Sequence, residues 1–219
     1  MGSRPCANTL KPEMTDVELS GLRQWSQSAN LNGRHLEIGT AAGGTLCFMM
    51  KCFEASVRPK FSVVDTMTYF DNQFEIVKRN LTQNGLEARD VNFRIMSSKE
   101  AFAKSESEGE QFDFILVDAS HKIRHVMADL RWLRLLNVGG VACFHDYADR
   151  FKGVRWPIDR FLQRNPQFSR IGLAGSLLCV RRHAASTRPE VTILDRVWAL
   201  LWSPALQFDL SMRKRFGSK

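Results

Sequence analysis

An acidic residue and a histidine stand close together after one apolar run of the sequence. In the stretch FILVDASHKIRHVMADL, Asp118 ends the run and His121 follows three places later. A carboxylate and an imidazole can share proton transfer, because the unperturbed pKa of histidine is about 6.5. The alternative is a polar turn in which Asp118 caps the next helix and His121 is an exposed turn residue. Which of the two applies depends on the elements that position the pair.

The elements around this pair alternate between short apolar runs and amphipathic stretches, which is typical of a parallel sheet covered by helices. Five runs predict the main strands, and a hairpin follows a further helix. The predicted strands are HLEIGT (35–40), KFSVVDT (60–66), VNFRIMSS (91–98), FDFILVDAS (112–120) and GVACFHDY (140–147), with FSRIGLAG (168–175) and SLLCVRR (176–182) as the hairpin.

Amphipathic spacing predicts the helices. Thr15 to Glu18 form a capping box that opens a helix ahead of the first strand. We expect Asn84-Gly85 to end the helix after the second strand and Gly139-Gly140 to end the helix after the fourth. The residues expected to face the core are Val17, Leu22, Trp25 and Ala29 in the first helix, Phe70, Phe74, Val77 and Leu81 after the second strand, and Val126, Leu130, Leu133 and Leu136 after the fourth.

Polar or glycine residues close all five of the main predicted strands. In open parallel sheets, ligands bind beyond the carboxyl ends of the strands, near the point where the strand order reverses. We therefore expect these residues to meet at one edge of the sheet. They are Glu37 to Thr45, Asp65 to Met67, Ser97 and Ser98, Asp118 to His121, and His145 to Tyr147.

The turn after the first strand suits a cofactor that carries an amino acid moiety instead of phosphates. EIGTAAGGT has glycines at 39, 43 and 44, which is not the GxGxxG spacing that brings a pyrophosphate onto a helix N-terminus. Glu37 precedes a turn that permits close backbone approach, and Asp65 closes the second strand, where a carboxylate can accept both ribose hydroxyl hydrogens. A tight strand-to-helix connection is the alternative for the glycines alone. Together, the glycines and the acid at 65 favour a nucleoside cofactor.

Several of these motifs resemble one family. HLEIGTAAGGT, VVDT, FDFILVDASHKIRHVMADLRWLRLLNVGGVACFHDY and GVRWPIDRFL are similar to class I S-adenosylmethionine (SAM)-dependent methyltransferases. Within that class, roughly residues 15 to 182 resemble the branch that includes macrocin O-methyltransferase and the cephalosporin-type metal-dependent enzymes. The resemblance implies an α/β, Rossmann-like, doubly wound and mostly parallel seven-stranded sheet with an antiparallel last strand. We expect a methyltransferase domain at 1–186 and a C-terminal amphipathic helical extension at 187–219.

The resemblance also implies cofactor-binding roles for the strand-end residues. The turn after the first strand would contact the methionine part of SAM, Asp65 would bind the ribose, and the residues after it would flank the adenine. The third strand end would meet the adenine edge. The cofactor-binding candidates are therefore Glu37, Gly39, Thr40, Gly43, Thr45, Asp65, Thr66, Met67, Ser97, Ser98 and Asp118.

Metal and acid-base chemistry is implied for the last two of the main strand ends. Asp118, His145 and Asp146 match positions that hold a divalent metal in the metal-dependent relatives, and His121 matches a proposed general base. Some relatives carry an acid at the position of His145, and Mg²⁺ prefers oxygen ligands. An imidazole there favours Mn²⁺, Fe²⁺ or Zn²⁺, or leaves Asp118 and Asp146 to hold Mg²⁺ without it. A His121–His125 metal pair is disfavoured, since their helix offers no third ligand at a matching spacing.

These implied roles predict O-methylation of a hydroxyl on a small molecule or a sugar. A hydroxyl is a poor nucleophile at neutral pH, so a metal that lowers its pKa and an imidazole would supply the activation, with His121 and Asp118 as catalytic candidates. A nicotinamide oxidoreductase is disfavoured, because Tyr69 and Tyr147 are followed four places on by Gln73 and Phe151 and not by lysine. The non-enzyme alternative is a degenerate methyltransferase-like scaffold that acts through its C-terminal helices.

Charge and composition argue against a nucleic-acid partner. The chain has 219 residues, 44% of them hydrophobic, and a formal net charge of +8. Eight Lys and Arg residues against three acids place +5 of that charge from Arg181 onward. A basic tail of this kind serves solubility, an acidic partner or an anionic membrane surface more often than base readout. Residues 118–121 also lack the two prolines expected of amino-group methyltransferases that act on nucleic acid.

The extension at 187–219 has two interpretations. Leu194, Val197, Trp198 and Leu201 lie along one helical face, and Ser203-Pro204 is expected to open another short helix. The extension could pack on the sheet or on a second subunit of a homo-oligomer, or it could dock on a membrane surface through the basic residues at 213–215. No leader or membrane span is evident, so we expect a cytoplasmic protein whose five cysteines (6, 47, 52, 143 and 179) are reduced and mostly packed as small apolar residues.

Overall fold

The fold is a seven-stranded sheet with helices on both faces, which confirms the predicted architecture. A computed structural model describes residues 11–29, 33–185 and 191–216, with side chains as far as 207. The strands are β1 (Arg34–Ile38), β2 (Lys60–Asp65), β3 (Val91–Ile95), β4 (Phe112–Val117), β5 (Leu136–Phe144), β6 (Phe168–Ala174) and β7 (Leu177–Arg182). Their order is β3-β2-β1-β4-β5-β7-β6, and β7 runs antiparallel to both of its neighbours.

Seven α-helices accompany these strands in the described part of the chain. They are α1 (Asp16–Ser28), α2 (Gly44–Lys51), α3 (Gln73–Gln83), α4 (Ser98–Ser107), α5 (Ile123–Asp129), α6 (Lys152–Arg164) and α7 (Ile193–Phe216). The predicted boundary between 186 and 187, and Cys6, lie outside the described residues.

The core consists of two apolar layers, one on each face of the sheet. Every residue of β4 is buried, and its side chains alternate between the layers: Ile115 and Val117 enter one, Phe114 and Leu116 the other. A strand buried on both faces needs a continuous apolar run, which is what the sequence has before Asp118. Cys143 and Cys179, from adjacent strands, are fully buried among the apolar side chains of the second layer, as expected for small apolar residues.

The start of α1 confirms the predicted capping box. The hydroxyl oxygen of Thr15 accepts from the Glu18 amide, while the Glu18 carboxylate accepts from the Thr15 amide at 2.8 Å. Leu22, Trp25 and Ala29 are buried, but Val17 is 61% exposed, so its predicted place in the core is wrong.

Two predicted boundaries move in the structure. Helix α3 begins at Gln73, so Phe70 lies in the preceding loop and not on the helix, whereas Val77 and Leu81 are buried as predicted. Strand β5 begins at Leu136, before Gly139 and Gly140, which were expected to end a helix. The pairing with β4 jumps from Phe112–Leu136 to Phe114–Val141, so the intervening residues bulge out of the ladder, and Gly139 supplies the positive φ of 84° that this bulge requires.

Helix α7 is one continuous helix with Pro204 inside it, so the predicted separate helix at Ser203-Pro204 is wrong. Pro204 is exposed, so its ring lies on the side of the helix that faces away from α5 and α6. Helix α7 packs on these two helices through Asp195, Ala199, Ser203 and Leu206, all of which are buried. No helix in the described ranges combines the length and apolarity needed to cross a membrane.

Candidate active site

Backbone hydrogen bonds beyond the strand ends bring the predicted site residues into one row. The amide of Gly39 donates to the Val64 carbonyl at 2.9 Å, and the amide of Asp118 donates to the Ile38 carbonyl at 2.9 Å. The strand order reverses between β1 and β4, so this row lies at the switch point where open α/β sheets bind ligands. The predicted convergence of the first, second, fourth and fifth strand ends is therefore present.

Gly39 allows the first and fourth strand ends to touch. Its φ is 85°, and a Cβ atom at this position would lie 2.2 Å from the carbonyl oxygen of Asp118. Only glycine can occupy such a position without moving the backbone. The turn continues through Ala41 at φ 44° and Gly43 at φ 84°, and α2 then begins with no side-chain cap. Thr45 lies in the first turn of α2, so the free amides of that turn face the same edge.

Glu37 is a fully buried carboxyl group with no hydrogen-bond partner on either oxygen among the described residues. Burial raises the pKa of Glu37 to about 8, against the lowering effect of the Thr40 hydroxyl beside it. That hydroxyl is also buried, and neither it nor the carboxyl forms a hydrogen bond of normal geometry with a described residue. A buried polar group without a partner costs free energy, so this pair marks a place where a ligand with hydrogen-bond donors would be stabilised.

Asp65 is oriented by the backbone around it. Its carboxylate accepts from the Thr40 amide at 2.9 Å and from the Met67 amide at 2.7 Å. Met67 has a positive φ of 54°, which is strained for a side chain of this size and turns its amide back toward the acid. Oδ1 also accepts from the side-chain amide of Gln73 at 3.4 Å, so Oδ2 is the oxygen that keeps a lone pair for a further donor. Thr66 is exposed, and its hydroxyl bonds that of Thr68.

The third strand end differs from the other sites because both of its hydroxyl groups are already bonded. Ser97 caps α4 by a capping box with Glu100. Ser98 donates to the carboxylate of Asp129 and accepts from the indole N–H of Trp132 at 2.9 Å. Burial raises the pKa of Asp129 to about 6, against the lowering effect of the Ser98 hydrogen bond. Any contact of Ser97 and Ser98 with a cofactor would therefore be made by their backbone atoms.

Two acids and two histidines meet beyond β4 and β5. His145 Nδ1 lies 3.0 Å from Asp118 Oδ1, and His121 Nε2 lies 2.8 Å from Asp146 Oδ2. Asp146 has φ 57°, a left-handed conformation that concentrates at functional sites when a side chain occupies it. The predicted alternative for Asp118 is not present, because Lys122 and not Asp118 occupies the N-cap position of α5.

Helix α1 supplies a further acid that the sequence analysis assigned only to a capping box. Glu18 Oε2 lies 3.7 Å from His145 Nε2, and Glu18 Oε1 accepts from the Ser176 amide at 2.8 Å. Burial would raise the pKa of Glu18, but hydrogen bonds from Ser176 and Thr15 lower it to about 2. Burial would likewise lower the pKa of His145, but the hydrogen bond to Asp118 and the charges of Asp146 and Glu18 raise it to about 9.

The turn that carries His121 is held by α6. A Cβ at Gly153 would lie 2.2 Å from the backbone oxygen of His121, so glycine is required for this close approach. The imidazole of His121 stacks on Phe151 with ring centroids 4.5 Å apart, and it remains partly exposed. His125 bonds the hydroxyl of Ser120 at 3.0 Å and lies outside the acid-histidine group.

The chemistry of the donor set fits a divalent cation. Asp118, His145 and Asp146 each offer one ligand atom, all within 4.8 Å of one another, and they form the only such group in the described part of the chain. A mixed nitrogen and oxygen set is suited to Mn²⁺, Fe²⁺ or Zn²⁺ more than to Mg²⁺.

The strand order and the ligand-binding edge define a Rossmann-like fold of the methyltransferase type. Residues 36–147 match the sequence model of a family described as a methyltransferase domain. This match spans half of the chain, and the protein belongs to that methyltransferase family. A search of curated proteins finds no significant sequence match.

Solved structures with the same fold include several O-methyltransferases. An O-methyltransferase from Bacillus cereus in complex with SAH has a TM-score of 0.60 at 18% identity, over 77% of this chain and 82% of that one. An O-methyltransferase of tomaymycin synthesis from Streptomyces achromogenes, in complex with SAM, has a TM-score of 0.61 at 16% identity, over 78% and 82%. A TDP-rhamnose 3'-O-methyltransferase of calicheamicin biosynthesis has a TM-score of 0.57 at 13% identity, over 77% and 79%.

Proposed function

We propose that this methyltransferase transfers the methyl group of SAM to a hydroxyl of a small molecule or a sugar. The observation that carries the proposal is the buried, unpaired carboxyl of Glu37, which lies on the same sheet edge as the acid-histidine group. An ammonium group is the natural partner for such a carboxyl, and the methionine part of SAM carries one. The membership of the chain in a methyltransferase family agrees with this cofactor.

The other cofactor contacts follow from the same edge. Asp65 is held by two backbone amides and can accept the hydroxyl hydrogens of a ribose. The glycine turn at 39–43 brings backbone close to the ligand, and Thr40 offers a hydroxyl without a partner. We assign the methionine part to Glu37 and this turn, the ribose to Asp65, and the adenine to the neighbourhood of Met67 and the 97–98 backbone.

His121 is placed to take the proton of the acceptor hydroxyl. Its Nε2 donates to the Asp146 carboxylate, and this hydrogen bond leaves Nδ1 as the nitrogen with a free lone pair. In the reaction, the acceptor oxygen forms a bond to the methyl carbon as the bond from that carbon to sulfur breaks. The hydroxyl proton passes to His121 Nδ1, and the sulfur keeps the electron pair of the broken bond in S-adenosylhomocysteine. Asp146 stabilises the imidazolium that results.

Asp118, His145 and Asp146 are the residues that would hold a divalent cation. A cation there would supply a Lewis acid that lowers the pKa of an acceptor hydroxyl. Glu18 fixes the far side of the His145 ring, so Nδ1 of His145 faces Asp118 and the site. Such a carboxylate behind a histidine orients the ring and raises the basicity of the ligating nitrogen.

A sugar or natural-product hydroxyl is supported as the acceptor by two features. The sequence resembles the macrocin O-methyltransferase branch, and structures of the same fold include the TDP-rhamnose and tomaymycin-synthesis enzymes. The partly exposed imidazole of His121 also opens the site to a bulky acceptor.

Calorimetric titration with S-adenosylhomocysteine tests the cofactor assignment. We expect binding by the native chain and a loss of about tenfold or more in Asp65→Ala, because the ribose hydroxyls lose their acceptor. Asp71→Ala is the matched control, since Asp71 is an exposed aspartate of the same loop. A folded native protein that does not bind would contradict the proposal and indicate a degenerate scaffold. Methyl transfer from SAM to a panel of sugar and natural-product hydroxyls then tests the acceptor class.

A further inference from the structure

Helix α7 carries an apolar face that nothing in the described structure covers. Ile193, Leu194 and Leu201 are 75%, 68% and 72% exposed, and Val197 and Leu200 are about half exposed. These five residues follow helical spacing and form one stripe, which we call the outer face of α7. The opposite side of the helix packs on α5 and α6. A helix that is apolar on both sides is expected to have a partner on each.

A groove of about 360 Å³ runs beside the outer face, between α7 on one side and α5 with the first turn of α4 on the other. Its floor is apolar and includes Met127 and Ala199. Four basic side chains line it as well: Lys99, Arg124, Arg131 and Arg196. No acidic residue is among the described residues that line the groove. The surface therefore combines exposed aliphatic side chains with positive charge.

The positive charges of the groove are close enough to affect one another. Burial, and then the charge of Arg196, lower the pKa of Arg131. Of the acids near Arg131, Asp129 bonds Ser98 and Glu106 pairs with Arg134 at 2.7 Å. An anionic partner would relieve this repulsion.

We propose that the outer face of α7 and its basic groove dock on an anionic phospholipid bilayer. The aliphatic side chains would enter the boundary between headgroups and acyl chains, while the four cations would contact phosphate groups. On the opposite side of the helix, Trp202 packs edge-on against Trp156 of α6, with ring centroids 5.2 Å apart, and this contact helps to hold the outer face toward solvent. Helix α7 continues to Phe216, and its sequence ends with the basic residues Arg213, Lys214 and Arg215.

A second copy of the chain is a less favourable occupant of this surface. A two-fold interface pairs a patch with the same patch of the partner. Such an interface would gather the four cations of both copies around one apolar contact without an acid of the groove to pair with them, which costs Coulomb energy. An anionic bilayer satisfies the apolar and the charged parts of the surface together.

The outer face is held in a fixed direction by the start of α7. Thr192 and Asp195 form a capping box there, with the Thr192 amide donating to Asp195 at 2.9 Å. Burial would raise the pKa of Asp195, but hydrogen bonds from Thr192 and Arg160 lower it. Arg160 donates to Asp195 at 2.7 Å and joins α7 to α6. The docking surface is therefore built on a rigid helix and not on a loose tail.

Vesicle cosedimentation of the full chain tests the proposal. The probes are vesicles of phosphatidylcholine with phosphatidylglycerol, and vesicles of phosphatidylcholine alone. We expect binding to the anionic vesicles only, weakened by salt. The double variants Leu194→Asp/Leu201→Asp and Arg124→Glu/Arg196→Glu should each bind about tenfold more weakly or worse. Arg89→Glu is the control, because it reverses an exposed charge outside α7 and its groove. It should bind like the native protein.

The thermal unfolding of each variant, followed by circular dichroism, shows whether it is folded. Native-like vesicle binding by both double variants would overturn the proposal, as would equal binding to neutral and anionic vesicles. A dimer seen by analytical ultracentrifugation and abolished by Leu194→Asp/Leu201→Asp, without vesicle binding, would overturn it in favour of a second copy. None of these results depends on methyl transfer, so they test membrane docking independently of the proposed function.

Discussion

Nε2 of His121 lies 2.8 Å from Oδ2 of Asp146, and this bond joins a partly exposed imidazole to an acid of strained backbone conformation. Burial would raise the pKa of Asp146, but the hydrogen bond from His121 and the charge of His145 lower it. Asp146 therefore stays ionised and holds one nitrogen of the ring. The other nitrogen, Nδ1, then carries the free lone pair that the proposed base needs.

From this arrangement, we expect His121→Ala to lower kcat by about 10²-fold or more, the usual contribution of a positioned general base. The affinity for S-adenosylhomocysteine should be unchanged, because His121 contacts none of the cofactor residues. Steady-state kinetics and calorimetry on the same preparation measure the two quantities. His125→Ala is the matched control, since His125 bonds Ser120 outside the acid-histidine group. Native turnover in His121→Ala would remove the assignment of the base.

Glu37 makes cofactor binding dependent on pH. Its pKa is raised to about 8 by burial, so the carboxyl is mostly protonated at pH 7 in the free protein. An ammonium group beside it favours the charged form, and binding should therefore release a proton. Affinity should rise with pH up to about 8. Calorimetry at pH 7 in two buffers of different ionisation enthalpy measures the proton, and Glu37→Gln should abolish its release. Equal heats in both buffers for the native chain would contradict the prediction.

We expect Asp129 to make stability depend on pH in the opposite sense, so that its contribution falls as pH rises. Burial raises the folded pKa of Asp129 to about 6, above the ordinary value for an aspartate, so the folded state prefers the protonated form. Ionisation therefore costs stability as pH rises from about 4 through 6, and the cost is constant above that. Asp129→Asn removes this cost, so its stability relative to the native chain should improve by about 2 kcal/mol between pH 4.5 and pH 8. Urea unfolding at both pH values checks this, and a difference that does not change with pH would contradict it.

The metal assignment predicts one divalent site per chain. After treatment with a chelator, the protein should bind one equivalent of Mn²⁺, and Asp118→Asn or His145→Ala should weaken binding about tenfold or more. Titration followed by the electron paramagnetic resonance of free Mn²⁺ measures this. Asp149→Asn is a suitable control, because Asp149 is an exposed acid near the site in sequence that pairs with Arg155. Equal affinities in all variants would show that the cation binds elsewhere.

Glu18 has a positioning role that can be separated from a structural one. Glu18→Gln keeps the hydrogen-bond acceptor for Ser176 but removes the negative charge near His145. We expect weaker Mn²⁺ binding with little change in the affinity for S-adenosylhomocysteine. Weakening of both in parallel would instead indicate a general loss of structure at α1.

The local sequence pattern was sufficient to predict the sheet and the row of residues at its edge. The apolar run before Asp118 predicts a strand buried on both faces, and a polar residue at its end lies where such sheets bind ligands. Glycine is a less reliable predictor of helix ends, since Gly139 lies in a strand bulge and not at the end of a helix. Pro204 likewise stays inside a helix, because the parts of α7 before and after it both pack on α5 and α6.

Contacts between distant parts of the chain could not be predicted from a single sequence. Glu18 reaches Ser176 across 158 residues, and no local spacing connects them. Likewise, no local pattern shows that Asp129 is buried against Ser98. The role of such acids can be assigned only when the tertiary structure shows which helix end faces which strand.

The contact of Gly39 with the carbonyl of Asp118 has an evolutionary consequence. The first and fourth strand ends meet through bare backbone there, with no side chain between them. Any larger residue at position 39 would place its Cβ atom against the Asp118 carbonyl oxygen and push the two strand ends apart. We therefore expect evolutionary change to accumulate in the loops and the terminal helix and to be strongly restricted at this position.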